Sequence, residues 1–327
     1  MGSQPTNAAV VAGEDAVLAG LRRGLGRDGI PIPAHQTLGV EVREATAGSA
    51  VVRVPRSPHL TTSDGGLLPG AFAVLADVCC GCAIAAALPA GGAALTAQLR
   101  VEFIRPLPPG QVWIEGRAEA DAVDDHSGLA RAEIVDQTDQ LLGVASLRVI
   151  KASHQGFRQA APAAAPPAAA PPAARPSAAS APATVASTPI AVQAPVVGLT
   201  PVAQLLGVVS RVAESGRSAW TFRPPPGAAN SFAMVHGGVL GLLAHEVASD
   251  AQRSLIAPGE ELISLDLVVN FYRGVPASDR LAAATARVTH RGRRFVVAEG
   301  EVAGPDGRPA LRLSVGAQIR STSAAGR

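Results

Sequence analysis

The stretch Asn230–Ser249, NSFAMVHGGVLGLLAHEVAS, carries the signals that decide the fold. His236, Gly237 and Gly238 run directly into an apolar pattern of helical period, and an asparagine stands six residues before the histidine. Amides at the start of a helix are unpaired and carry the positive end of the helix dipole, so this helix start can stabilise negative charge. Two turns further on, where a buried acid would complete a catalytic site, the chain has His245. The stretch alone leaves open whether the site is broken or is completed from elsewhere.

A repeat within the chain indicates where the missing acid is. Sliding the sequence against itself by 168 residues places Phe103 on Phe271 without a gap, inside longer segments that share one apolar pattern. One unit has therefore been duplicated. At this offset, the position of His245 is occupied in the first copy by Asp77.

Each copy contains one long helix followed by a run of strands, which is typical of an α+β fold whose antiparallel sheet curves around a central helix. In the first copy we expect a short amphipathic helix near 15–25 and a strand within 38–55. In the second copy we expect strands within 206–223 and a helix over 238–255. The later strands are expected near 96–104, 112–122, 129–136 and 143–150, and near 263–272, 280–289, 295–303 and 310–320.

Composition places the domain boundaries. Nine prolines lie between Pro162 and Pro195 in an alanine-rich segment, which excludes a stable helix or sheet and predicts an extended tether. We predict an N-terminal segment with a short helix over 1–30, a first unit over 31–152, this linker over 153–198 and a second unit over 199–322.

Charge and cysteine content exclude several classes of protein. The net charge of +2 and the lack of a long basic run argue against nucleic-acid binding. Cys79, Cys80 and Cys82 fall within one apolar segment, which is typical of reduced, buried thiols rather than of a disulfide framework. The N-terminus does not have the basic start and apolar run of a signal peptide. We therefore expect a cytoplasmic protein.

The segment Leu67–Ala90 is long and apolar enough to span a membrane. Asp77 lies at its middle, where a carboxylate costs about 2.5 to 3.5 kcal/mol. The equivalent helix of the second copy is too polar to span a bilayer. We therefore predict that this helix is buried in protein and that the chain has no membrane span.

The segment NSFAMVHGGVLGLLAH resembles the Asn-x5-His-Gly-Gly-x7-Asp signature of hotdog-fold acyl-CoA thioesterases of the phenylacetate-pathway (PaaI-like) type. This type belongs to the 4-hydroxybenzoyl-CoA thioesterase superfamily. AVLAD and LTAQLRVEFIRPLPPG in the first copy resemble the helix end and next strand of the same family. The resemblance covers nearly both copies. It implies a tandem, or double, hotdog chain that hydrolyses acyl-CoA to free acid and CoA, without a metal or any cofactor besides the substrate's coenzyme A. It is also compatible with a homo-oligomer of double hotdogs.

In that family the active site lies between two hotdog units, one giving helix-start amides and an asparagine, the other giving the acid. Transferred to this chain, Asn230, Gly237 and Gly238 match the amide-donating half. Asp77 matches the acid, and Thr96 matches a strand residue that supports the acid or the attacking water. These five are the expected catalytic residues of one composite site. The resemblance leaves open whether Asp77 is a general base or a nucleophile.

The opposite interface is expected to be inactive or reassigned. Leu68, Pro69 and Gly70 stand where the second copy has His-Gly-Gly, and proline has no amide hydrogen to donate. These residues would face His245 and Ser264. A shifted catalytic pair of His245 with its neighbour Glu246 remains an alternative, although adjacent residues point about 100° apart on a helix.

Several residues have two interpretations. His236 either binds substrate or caps the loop before the helix, and Asp77 is either catalytic or a structural acceptor of a loop amide. Arg291, Arg293 and Arg294 either bind the phosphates of coenzyme A or form a solvated hairpin turn.

Two other functions stay open. The degraded motifs fit a non-catalytic protein that binds acyl-CoA or an acyl carrier. His236 and Asp77 would also suit a hotdog enoyl-CoA hydratase or dehydratase, which needs a histidine and an acid facing one enoyl thioester.

Overall fold

The computed structural model describes residues 17–23, 25–26, 30–62, 65–88, 92–107, 110–153 and 200–321. Besides a helical segment at 17–22, its helices are α1 (Pro33–Leu38), α2 (Ala71–Ala87), α3 (Pro201–Leu205) and α4 (Gly237–Arg253). The first unit has β1 (Glu41–Thr46), β2 (Ser49–Pro55), β3 (Gly92–Phe103), β4 (Trp113–Val123), β5 (Ser127–Val135) and β6 (Leu141–Ser153). The second has β7 (Val208–Glu214), β8 (Arg217–Phe222), β9 (Glu260–Phe271), β10 (Ala282–Arg291), β11 (Phe295–Ala303) and β12 (Pro309–Ser321).

The strands form one twelve-stranded antiparallel sheet in the order β1-β2-β4-β5-β6-β3-β9-β12-β11-β10-β8-β7. The two units join where β3 pairs with β9. At the centre of that pair, Arg100 lies opposite Val268, and these positions are equivalent at the 168-residue offset of the repeat. Each unit therefore offers the same strand to the other, as in a two-fold symmetric dimer interface.

Each long helix packs on the strands of its own unit, and the two helices also pack on each other. Helix α2 is apolar on nearly every side, and all residues from Ala71 to Cys80 are buried. A helix of this composition is stable only inside a core. The predicted double hotdog arrangement, two α+β units each with a sheet around a central helix, is confirmed.

Helices α2 and α4 approach closely because glycines line the contact. A Cβ atom at Gly238 would lie 2.7 Å from Val74 Cα, and one at Gly241 would lie 2.8 Å from Ala73 Cβ. Only glycine permits backbones to come so near. The close approach brings the first turn of α4 against the part of α2 that contains Asp77.

The predicted elements are confirmed with small shifts of their ends. The strand expected within 38–55 is instead a hairpin of two strands, β1 and β2, with Gly48 at φ +89° in its turn. The predicted linker, 153–198, lies outside the described residues except at its first position, as does much of the N-terminal segment 1–30. In the described part of the chain, no helix is long and apolar enough to cross a membrane.

Candidate active site

The side chain of Asp77, which belongs to the first unit, lies against the first turn of α4 in the second unit. Its Oδ2 accepts a hydrogen bond from the Gly238 amide at 2.6 Å, and its Oδ1 accepts one from the Thr96 hydroxyl at 2.8 Å. Gly237 is adjacent, since a Cβ there would lie 2.8 Å from Asp77 Oδ2. The structure therefore brings together four of the five residues predicted to be catalytic, from two units of the chain.

Thr96 reaches Asp77 from an irregular point of β3. The pairing of β3 with β6 shifts between Thr96 and Gln98, which leaves Ala97 as an extra residue. Such a bulge bends a strand and redirects the side chains beside it. A bulge also occurs at the equivalent point of β9, between Ser264 and Asp266. This local geometry is therefore a property of the duplicated unit.

The two glycine amides at the start of α4 differ in what they bind. The Gly238 N–H is shared between Asp77 Oδ2 and the ring Nδ1 of His236, at 2.6 and 3.2 Å. The Gly237 N–H has no partner within the described residues, and Gly237 lines a cavity. Gly237 is therefore the amide open to a ligand, whereas Gly238 holds the carboxylate. Asp77 also supplies negative charge at the positive end of the helix dipole, where α4 has no acid of its own.

His236 is the N-cap of α4 and lies in a buried chain of polar groups. Its Nδ1 is 3.2 Å from Asp77 Oδ2, and its Nε2 is 3.1 Å from His35 Nε2. When Nδ1 accepts from the Gly238 amide, Nε2 carries the hydrogen and donates it to His35, whereas donation from Nδ1 to Asp77 requires the other tautomer. Burial lowers the pKa of His236 more than the charge of Asp77 raises it. These contacts agree with the capping interpretation of His236, although His236 also lines the cavity, so its role in substrate binding stays a prediction.

His35 is a residue of this cluster that sequence reasoning missed. It lies on α1, its side chain is buried, and burial together with the neighbouring His236 lowers its pKa. Its Nδ1 is buried without a hydrogen-bond partner among the described residues. No motif or periodicity marks a histidine in this short helix, so only the tertiary contact with His236 reveals it.

Asn230 organises the loop that leads into α4. Its side-chain Oδ1 accepts hydrogen bonds from the backbone amides of Phe232 at 2.9 Å and Met234 at 3.2 Å. Asparagine commonly stabilises a turn by bonding the backbone two residues further on. Asn230 also lines the cavity beside Gly237, so the asparagine of the predicted site lies beside the others.

A cavity of about 820 Å³ opens beside these groups, at the junction of the two units. Beyond Asp77 along α2 its lining is apolar or small, and consists of Val78, Gly81, Cys82, Ala85 and Leu88. On the side of the second unit its lining includes apolar residues such as Phe232 and Leu240 and a polar group consisting of Tyr272, Arg273, Arg280, Asp306 and Arg308. The carboxylate of Asp77 and the open amide of Gly237 therefore lie in a cavity with one apolar and one cationic region.

The structure does not bring Arg291, Arg293 and Arg294 to this cavity. All three are exposed at the β10–β11 hairpin, and Arg291 is 3.4 Å from Glu260. The cavity is lined instead by three other arginines, of which Arg280 has no ion-pair partner within the described ranges. Sequence alone gave no sign of this difference, because all six arginines stand in polar turns or at strand ends.

The opposite interface between the two units also has a cavity at the equivalent position, but different residues line it. A second cavity, of about 480 Å³, is lined by Thr62, Pro69 and Ser264, which are the equivalents of Asn230, Gly237 and Thr96. His245 takes the place of the acid, and its Nε2 is 2.9 Å from Ser264 Oγ. The predicted neighbourhood of this interface is confirmed, and it has no helix-start amide at the position of Pro69.

Comparisons with known proteins agree with this architecture. The sequence profile of the thioesterase superfamily matches residues 65–142 and 232–310. The chain therefore carries two thioesterase-superfamily domains. No curated protein matches the sequence.

Solved structures share the double arrangement at low sequence identity. The acyl-CoA thioesterase II TesB2 of Mycobacterium marinum is 15% identical, with a TM-score of 0.57 over 90% of this chain and 99% of that one. A protein of unknown function with a hot dog fold from Alicyclobacillus acidocaldarius is 14% identical, with a TM-score of 0.56 over 88% of this chain and 97% of that one. The chain thus has a tandem hotdog fold in which two segments match the thioesterase superfamily, while its membership of the PaaI-like type stays a prediction.

Proposed function

We propose that the protein is an acyl-CoA thioesterase, which hydrolyses an acyl-CoA thioester to the free acid and CoA at one composite site between its units. The observation that carries the proposal is the Asp77 carboxylate of the first unit, held 2.6 Å from the Gly238 amide at the helix start of the second. An acid and an open amide then face one cavity. This is the pair of groups that hydrolysis of a thioester requires.

Each group has a distinct task in the proposed reaction. The thioester carbonyl oxygen gains negative charge as water attacks, and the Gly237 amide at the positive end of the α4 dipole stabilises that charge. Asp77 takes a proton from the attacking water. Thr96 and Gly238 fix its two oxygens, so the carboxylate is oriented before substrate arrives. The proton then passes to the departing thiolate, which leaves as CoA.

The cavity supports a thioester with an apolar acyl group and an anionic carrier. The apolar region along α2 suits the acyl chain, since burying each methylene contributes about 0.8 kcal/mol. The region around Arg280 suits the phosphates of coenzyme A, because guanidinium groups bind phosphate with charge-assisted hydrogen bonds. This assignment replaces the hairpin arginines of the sequence prediction with arginines that line the cavity.

The hydratase alternative is less well supported by the contacts of His236. A hydratase histidine must exchange a proton with the enoyl thioester. Both ring nitrogens of His236 are engaged, Nδ1 by the Gly238 amide and Nε2 by His35. A ligand would have to displace one of these partners.

The proposal is tested with the variant Asp77→Asn, in an assay of thiol release from short, long and aromatic acyl-CoAs. Loss of a general base typically lowers kcat by about 10² to 10⁴. Asp136→Asn is the matched control, because Asp136 is an equally buried carboxylate in the β5–β6 turn and lines neither described cavity. We expect the control to hydrolyse acyl-CoA at the wild-type rate.

Two results would contradict the proposal. Wild-type hydrolysis by Asp77→Asn would remove this carboxylate from the mechanism. Binding of acyl-CoA by the wild-type protein without release of thiol from any member of the panel would make it a non-catalytic binding protein.

A further inference from the structure

Three polar side chains form a linear chain at the second cavity. Ser264 Oγ is 2.9 Å from His245 Nε2, and His245 Nδ1 is 3.2 Å from Glu246 Oε1. The side chains of His245 and Glu246 are only 1% and 5% exposed, whereas Ser264 lines the cavity. A serine therefore borders the cavity, with an imidazole behind its hydroxyl and a carboxylate behind the imidazole.

Glu246 determines which ring nitrogen of His245 carries the hydrogen. Burial would raise the pKa of Glu246, but the hydrogen bond with His245 and the positive charges around it lower the pKa overall. An ionised carboxylate only accepts hydrogen bonds, so Nδ1 of His245 must be the donor. In the neutral imidazole Nε2 is then the nitrogen without hydrogen, and it is placed to accept the hydroxyl hydrogen of Ser264. Ser249 Oγ lies farther from Nδ1, at 3.5 Å, and bonds neither Nε2 nor Ser264.

The second site holds a combination of groups that the first site does not have. The equivalent positions of the first site hold an acid and a threonine that bond each other directly, with no imidazole between them. In the second site, a base, a nucleophile and a positioning acid occur together. A serine activated by a histidine, which is oriented by an acid, is the arrangement used for nucleophilic acyl transfer.

We propose that Ser264 is the nucleophile of a second acyl-transfer site, with His245 as its general base and Glu246 as the positioning residue. The cavity indicates the class of substrate. Phe72 and Phe103 line its wall, and Arg56 and Arg105 line the same cavity. These residues suit a compact ester or thioester that has an apolar acyl group and an anionic substituent. At about 480 Å³, the cavity is smaller than that at Asp77.

The reaction balances with water as the only other reactant. Ser264 Oγ forms a bond to the carbonyl carbon of the substrate and gives its proton to His245 Nε2. The bond from that carbon to the leaving oxygen or sulfur breaks, and the leaving group takes the proton from His245. Water then attacks the acyl-serine, gives one proton back through His245 to Ser264 Oγ, and releases the acid.

Pro69 affects the rate of this reaction. In the first site, Gly237 offers an amide to the carbonyl oxygen, but Pro69 at the equivalent position has no N–H. Absence of one such donor costs about 10²- to 10³-fold in rate. We therefore expect slow turnover, so that covalent labelling is a better measurement than hydrolysis.

The experiment treats the full chain with a fluorophosphonate, which forms a stable phosphonyl adduct with activated serines, and maps the adduct by tandem mass spectrometry. We expect one adduct, on Ser264, and none there in Ser264→Ala. The variant His245→Gln should label at least about 100-fold more slowly, since a general base contributes about 10² to 10⁴. Ser210→Ala is the matched control and should label at the wild-type rate, because Ser210 is a buried serine that lines neither described cavity.

The role of Glu246 has its own measurement. In ¹⁵N spectra of the imidazole nitrogens, assigned with His245→Gln, His245 should carry its hydrogen on Nδ1 in the wild-type protein. The variant Glu246→Gln should shift hydrogen toward Nε2 and slow the labelling, which a purely structural side chain would not do.

The labelling results test the role of Ser264 independently of the proposed thioesterase site at Asp77. No adduct in the folded wild-type protein, an adduct on another serine, or labelling of Ser264 that does not depend on His245 would each overturn the proposal. Labelling that persists in Asp77→Asn would show that the adduct does not depend on the proposed thioesterase site.

Discussion

Adding one methyl group at Gly237 is expected to displace the Asp77 carboxylate. In Gly237→Ala the new Cβ would lie 2.8 Å from Oδ2, 3.0 Å from Oδ1 and 3.1 Å from Cγ of Asp77. Ordinary contacts of a Cβ atom begin near 3.4 Å, so all three atoms have to move away. The backbone itself does not oppose the change, because Gly237 has no positive φ angle.

The size of the effect follows from the bonds that this movement breaks. Asp77 is held by the Gly238 amide at 2.6 Å and by the Thr96 hydroxyl at 2.8 Å, and moving it by a few tenths of an ångström lengthens at least one of these. A hydrogen bond to a charged group contributes about 1.5 to 3 kcal/mol. If one bond is lost from the transition state, kcat falls roughly 10- to 150-fold, because about 1.36 kcal/mol corresponds to a factor of ten.

The assay measures thiol release from acyl-CoA and resolves kcat from KM. Gly20→Ala is the control, since a Cβ at Gly20 would meet no atom of the described residues within 4 Å. We expect kcat of Gly237→Ala to fall while KM changes little, because the cavity remains open. A Gly237→Ala protein that keeps both wild-type kcat and wild-type stability would refute the assignment of the reacting carboxylate to this contact.

Three further perturbations test the site and its surroundings. Thr96→Val removes the hydroxyl bond to Asp77, so kcat should fall roughly tenfold at about 1.5 kcal/mol, and Thr96→Ser should restore most of it in the same assay. Arg280→Ala should raise KM for acyl-CoA about two- to fivefold but not KM for the matching acyl-pantetheine, whereas Arg293→Ala, at the exposed hairpin, should change neither. Burial raises the pKa of Cys82 to about 12, while an unfolded thiol titrates near 8.5, so the folded state keeps a proton that the unfolded state loses. The free energy of unfolding in urea should therefore fall between pH 8 and pH 10, by about 2 kcal/mol for this thiol, and unchanged stability would contradict the burial argument.

The sequence predicted the two central helices correctly but did not predict which arginines line the cavity. The apolar run around Asp77 and the helix start at Gly237 are local patterns, and the more polar second copy excluded a membrane span for the run, so both helices were predictable. The contact between them was also predictable, because the repeat has one register. The arginines that line the cavity were not, because exposed turns carry arginine in many places and only the folding of β9 and the loop before β10 brings Arg273 and Arg280 beside the cavity.

The different roles of the Gly237 and Gly238 amides could be recognised only from the structure. From the sequence, Gly237 and Gly238 were equivalent donors. The close approach of α2 and α4 directs the Gly238 amide to Asp77 and leaves the Gly237 amide open. Which amide bonds Asp77 depends on the side-chain directions of the two packed helices. The order of residues in the sequence contains no information about these directions.

By itself, the sequence determined the duplication, the α+β hotdog units and the complementary loss of one acid and one helix start, since each is encoded in composition or in a fixed offset. The tertiary structure alone decided which atoms meet. His35 joins His236 through contacts between segments 201 residues apart, and the bulge at Ser264 places its hydroxyl against His245. Such contacts depend on how strands twist and helices cross, because hydrogen bonds need their partners within about 3 Å, a precision that no sequence period provides.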